Sequence, residues 1–69
     1  MESIQVEVNG EKRALPGESS VADLVRALGL AAEQVAVERN ERLVRRADFA
    51  RTALAAGDRL EVVTLVGGG

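Results

Sequence analysis

One stretch of this chain carries a helical period, and both of its ends are marked. Val21, Leu24, Val25 and Leu28 fall on one face of a 3.6-residue repeat, while Asp23 and Arg26 point away from it. Ser20 stands before the stretch with Asp23 three residues on, a capping box in which the shorter Asp replaces Glu. Gly29 is placed to close the helix in the left-handed conformation, with Leu30 folding back as the accompanying apolar contact. One helix offers one apolar stripe. The remaining apolar residues fall in strand-like runs, so the helix has to lie across one face of a single sheet.

Those strands are legible in turn. Ile4-Gln5-Val6-Glu7-Val8 alternates apolar and polar residues, and Asn9-Gly10 follows as a type I′ hairpin turn. Glu11 to Leu15 is the returning strand. A two-residue loop pairs Val8 with Glu11 and Val6 with Arg13, which sets charges on the face of the valines; a bulge or a short, frayed second strand is expected. Leu15 rejoins the core opposite Ile4. Pro16-Gly17-Glu18-Ser19 is a loop, Val35 to Glu38 a third strand, Arg39-Asn40-Glu41 its turn, and Leu43-Val44 a short fourth strand. Phe49, Ala50, Ala53 and Leu54 suggest an irregular or single-turn helical segment, with the chain's one aromatic ring in the core. Gly57-Asp58 turns the chain into a final strand from Leu60 to Val66, and Asp58 is expected to order that turn. The order β-β-α-β-β-β predicts an α+β domain of the β-grasp type: a mixed sheet of four to five strands with one main helix across one face.

Composition narrows what such a domain can do. With 69 residues the core is small and marginal, and neither Cys nor His is present. That removes disulfides, thiolate and imidazole nucleophiles and zinc ligation together, so regular packing has to hold the fold. The carboxylates are scattered in polar settings, and none sits in an apolar run that would raise its pKa for acid–base work. The chain is expected not to be an enzyme. A net charge of −2 argues against nucleic acid and anionic membrane as partners. No signal-peptide pattern and no membrane-length apolar run is seen, which predicts a cytoplasmic protein.

The sequence ends in Gly67-Gly68-Gly69, directly after the last strand. Residues 1–66 are expected to form the folded body and 67–69 a flexible tail. Glycine has no Cβ, so such a tail can enter a narrow cleft and its terminal carbonyl can be attacked from either face. Three residues reach roughly 10 Å beyond a strand. On the last strand, alternation puts Leu60, Val62, Thr64 and Val66 on one face and Glu61, Val63 and Leu65 on the other. A one-helix sheet leaves one face to solvent, which makes Val63 and Leu65 candidates for a docking patch beside the tail. Arg42, Arg45 and Arg46 are candidates for contact with an acidic partner surface, although a charged loop is usually only solvated.

A β-grasp layout with a terminal Gly-Gly resembles the ubiquitin-like proteins, and among them most closely the sulfur-carrier proteins of thiamine biosynthesis. The resembling residues are Val6-Glu7-Val8-Asn9-Gly10, Val21-Ala22-Asp23-Leu24-Val25, Val35 to Asn40, Leu43 to Arg46 and Gly57 to Gly69, nearly the whole chain. The resemblance implies that a partner adenylates the Gly69 carboxylate with ATP, that the adenylate becomes a thiocarboxylate, and that thiazole synthase receives the sulfur. It implies as partners an adenylyltransferase of the ubiquitin-activating-enzyme type, thiazole synthase, and a cysteine desulfurase as sulfur source. Val66, Gly67 and Gly68 would be read as the tail. The chain itself would bind no cofactor or metal and would be monomeric when free. The small subunit of molybdopterin synthase, or another thiocarboxylate carrier, shares the fold and the Gly-Gly end. A protein modifier joined to lysines through Gly69 and a binding module with an inert tail also stay open.

Overall fold

The computed structural model describes residues 2–65. The expectations for Val66, Gly67, Gly68 and Gly69, including the division of the chain at residue 66, lie outside the described residues. In chain order the elements are β1 (Ser3–Val8), β2 (Glu11–Pro16), α1 (Val21–Ala27), a 3₁₀ turn (Ala32–Gln34), β3 (Val35–Arg39), β4 (Arg42–Val44), a second 3₁₀ turn (Arg46–Arg51) and β5 (Arg59–Thr64). The sheet has the order β2-β1-β5-β3-β4. β1 and β5 pair in parallel and the other neighbours antiparallel, so the sheet is mixed and the last strand runs through its middle. This is the β-grasp architecture read from the sequence, with five strands among the described residues.

The helix is capped as its sequence requires. The Asp23 N–H donates to Ser20 Oγ at 3.1 Å and the Ser20 N–H donates back to Asp23 Oδ2 at 2.9 Å, so two orphan amides are satisfied reciprocally. At the other end Gly29 adopts φ +79°, its N–H donates to the Arg26 carbonyl and the Leu30 N–H to that of Val25. That pair of bonds is a Schellman motif. Val21, Leu24 and Val25 are buried against the inward side chains of the sheet, chiefly Val6, Val8, Val37, Leu60 and Val62. Phe49 is buried in the second 3₁₀ turn and belongs to the same core.

The first hairpin departs from expectation in an instructive way. The register is as the two-residue loop dictates, with Val8 opposite Glu11, Val6 opposite Arg13 and Ile4 opposite Leu15, and Asn9 and Gly10 both at positive φ. The expected bulge or frayed second strand does not occur. β2 pairs without interruption as far as Pro16, opposite Ser3. β2 is an edge strand, so charges on its inward face can pass the helix and reach water. Arg13 uses that freedom, donating from Nη2 to the Ala27 carbonyl at 3.3 Å. The end of a helix favours a cation there.

Other boundaries shift by a residue or two. β5 begins at Arg59 and ends at Thr64, so that Leu65 lies outside the strand, because β3 begins at Val35 and the pairing between them stops at Val35–Thr64. The 3₁₀ turn Ala32–Gln34, for which the sequence shows no periodic signal, fills the gap between the helix and β3.

Candidate functional site

The site is built around β5, the strand that leads to the glycine tail. Leu60 and Val62 point into the core, while Glu61 and Val63 point to the outer face of the sheet. Val63 is 57% exposed and Leu65 51% exposed. A third exposed apolar side chain, Leu43, is 68% exposed and was not singled out in the sequence. The signal was available: Val44 lies opposite the buried Val37, so its neighbour Leu43, opposite Glu38, has to face outward. Ala36 lies opposite Val63, which places Leu43 and Val63 on one face with β3 between them. Further along the same face Glu38 and Glu61 are direct cross-strand partners, and Arg59 approaches Glu7 at 3.9 Å. On this outer face Leu43, Glu38 and Glu61 form one row across β4, β3 and β5, and Val63 lies two residues further along β5.

Two asparagines hold β5 in ways their turn positions do not announce. Asn9 follows β1 in the turn, yet its side-chain amide continues the pairing: the Val62 N–H donates to Asn9 Oδ1 at 2.9 Å and Asn9 Nδ2 donates to the Val62 carbonyl at 3.1 Å. One side chain thus supplies a rung that the β1 backbone no longer provides. Asn40, at φ +51° in the β3–β4 turn, exchanges bonds with Arg59 at the start of β5: its own N–H donates to the Arg59 carbonyl and its Oδ1 accepts from the Arg59 N–H.

Asp58 does more than order a turn. It is 7% exposed and accepts from Arg39 Nε at 3.0 Å, Asn40 Nδ2 at 3.0 Å and the Ala55 N–H at 2.8 Å. Burial by itself would raise its pKa; the bonds from Ala55, Asn40 and Arg39 outweigh burial and hold the carboxyl below its ordinary value. The side chain therefore locks the β3–β4 hairpin to the base of β5. Asp23 is also lowered, first by the Ser20 N–H and then by the Ser20 hydroxyl, which is the electrostatic side of the capping box.

At its far end β5 is fastened once more. The Leu65 N–H donates at 2.7 Å to the carbonyl of Gln34 in the first 3₁₀ turn. Arg42, Arg45 and Arg46 are exposed on β4 and just after it. Among the described residues no cluster of three or more His, Cys, Asp or Glu is placed to hold a metal ion, and no helix is long and apolar enough to cross a membrane.

This geometry, a central strand with exposed apolar side chains at its end and Gly67-Gly68-Gly69 following it in sequence, coincides with a family assignment. Residues 6–69 match the model of the ThiS family. The chain belongs to the ThiS family. Its members are sulfur carriers of thiamine biosynthesis. The crystal structure of the thiamine biosynthesis protein ThiS from Geobacter metallireducens superposes with a TM-score of 0.79 at 35% identity, covering 96% of this chain and all of that one. A computationally designed protein based on human erythrocytic ubiquitin is similar in fold, with a TM-score of 0.54 and 21% identity. A thiazole synthase of Paramagnetospirillum magneticum is 40% identical over 62 residues, which cover 90% of this chain and 19% of that enzyme. This ThiS-family chain therefore spans about a fifth of the length of that relative.

Proposed function

We propose that this chain carries sulfur as a thiocarboxylate on Gly69 and delivers it to a thiazole synthase. The observation that supports this most is the family match running through residue 69, so that the glycine end belongs to the matched segment. A carboxylate is a poor electrophile, because attack at its carbon has to expel oxide. Adenylation by an ATP-using partner of the ubiquitin-activating-enzyme type releases pyrophosphate and provides AMP as the leaving group. A persulfide supplied through a cysteine desulfurase then attacks the unhindered Gly69 carbonyl and expels AMP, and a second thiol cleaves the resulting acyl disulfide, leaving the thiocarboxylate and a thiol–thiol disulfide. Gly67 and Gly68 pass through the partner's cleft, Val66 is read at its mouth, and the body formed by residues 1–66 stays outside it. ATP is bound by the partner; the carrier is a substrate and not a catalyst, and it works as a cytoplasmic monomer.

Thiazole synthase is the acceptor this reading favours, because a relative that bears that name contains a segment similar to this chain within its own polypeptide. Joining carrier and acceptor raises their effective concentration. Val63 and Leu65, with Leu43, form the surface that identifies the carrier to its partners, since a glycine tail carries little information of its own.

Intact mass after incubation with ATP, a sulfur source and the source cell's adenylating enzyme tests this. Exchange of one oxygen for one sulfur is expected, and only in a chain that ends at Gly69. Equal loading of a chain ending at Gly68, or of one extended by a residue, refutes the assignment of Gly69.

A further inference from the structure

β5 outruns β1, and Leu65, the last described residue, is held by a group outside the sheet. Pairing with β1 through the backbone extends only to Leu60, and pairing with β3 ends at Val35–Thr64. One residue further, the Leu65 N–H is held by the Gln34 carbonyl at 2.7 Å. Gln34 closes the Ala32–Gln34 turn on itself. Its N–H donates to the Ala31 carbonyl at 2.9 Å, and its side-chain Oε1 accepts from the Ala31 N–H at 3.2 Å. The carbonyl that grips Leu65 is thus aimed by a turn that the same residue caps from both directions. The turn forms no part of the sheet, and Ala32 is its one side chain packed on the core.

We propose that Gln34 is a positioning residue for the tail chemistry: by holding Leu65 it keeps the residue that follows β5 ordered against the body. The inference rests on the reading of Gly69 as the sulfur-bearing end. A partner that takes up the tail has to order every residue it draws into its cleft. With the clamp closed, Leu65 arrives already ordered. With the clamp open, the partner has to order Leu65 as well, and fixing the backbone of one residue weakens binding by roughly five- to thirtyfold. That loss falls equally on the ground state and the transition state of adenylation, so KM for the carrier rises while kcat stays the same.

The test is carrier-dependent ATP–pyrophosphate exchange by the source cell's adenylating enzyme, measured with three altered carriers alongside the wild type. Backbone N-methylation of Leu65, accessible by chemical synthesis at this length, removes the donor and keeps the exposed side chain. Gln34→Leu removes the acceptor for the Ala31 N–H, and Gln34→Glu keeps one. The expected result is KM raised about five- to thirtyfold in the N-methylated protein, a rise in the same direction for Gln34→Leu, and wild-type KM for Gln34→Glu. All are expected to keep the kcat of the wild type, with a melting temperature lowered by no more than roughly 2–12 °C where a bond is lost. Unchanged KM in the N-methylated protein, or kcat falling together with the melting temperature, overturns the proposal. So does equal behaviour of Gln34→Leu and Gln34→Glu. Absence of exchange with the wild-type carrier itself instead refutes the function on which the inference rests.

Discussion

Replacing Asn9 separates two jobs that one residue performs. Its backbone sits at φ +52°, where an ordinary residue costs about 1–2 kcal/mol and Asn or Gly much less. Its side chain supplies the two bonds to Val62, each worth about 0.5–1.5 kcal/mol net. Asn9→Gly keeps the turn and loses the rung, so it should cost about 1–3 kcal/mol. Asn9→Ala loses both and should cost about 2–5 kcal/mol. A domain of this length holds roughly 3–10 kcal/mol in total, so either loss is a large share. At about 4–8 °C per kcal/mol, Asn9→Gly should lower the melting temperature by roughly 5–20 °C, and Asn9→Ala further. Far-UV circular dichroism is the suitable assay, because the chain has neither Trp nor Tyr. If Asn9→Gly melts within about 2 °C of the wild type while Asn9→Ala falls, backbone conformation alone accounts for Asn9 and the side-chain rung contributes nothing.

Asp58 has a depressed folded-state pKa, so its stabilisation is fully present above the ordinary aspartate value near 4 and is lost as pH falls through the lower folded value. Acid titration of unfolding free energy should show that loss, and Asp58→Asn should start from a lower plateau at neutral pH and fall less steeply; parallel curves would remove Asp58 from the acid response. Val63→Asp and Leu65→Asp should each weaken binding to the adenylating enzyme or thiazole synthase by about one to two decades, with melting temperatures kept. Calorimetry showing unchanged affinity would take the patch out of partner recognition, and Arg45→Ala serves as the comparison, since an exposed ion pair is worth at most about 1 kcal/mol. Gly17→Ala should destabilise by about 1–3 kcal/mol in urea denaturation, because a Cβ there would lie 2.7 Å from the Glu2 carbonyl oxygen. Wild-type stability would mean that the Glu2 strand end gives way freely.

Much of this fold was readable one element at a time, because the signals are local. The capping box of Ser20 and Asp23, the left-handed Gly29 and the Asn9-Gly10 turn depend on residues within a few positions of one another, and each appears where its pattern places it. Alternation along the last strand likewise separated buried Leu60 and Val62 from exposed Val63. Resemblance along the chain then named the family to which the glycine end belongs.

What the sequence left open depended on which distant segments became neighbours. β2 stays regular despite its charges because the sheet order makes it an edge, where Arg13 can reach the end of the helix. Asn9 and Val62 are far apart in the chain, and so are Asn40 and Asp58; their bonds exist only once β5 is threaded between β1 and β3. The hold of Gln34 on Leu65 has the same origin, since a carbonyl in a short turn shows no pattern until another segment's amide arrives opposite it. Periodicity and capping act within a few residues and leave a mark in the sequence. Hydrogen bonds across the sheet require both partners in place, so tertiary structure alone decided how the tail-bearing strand is held.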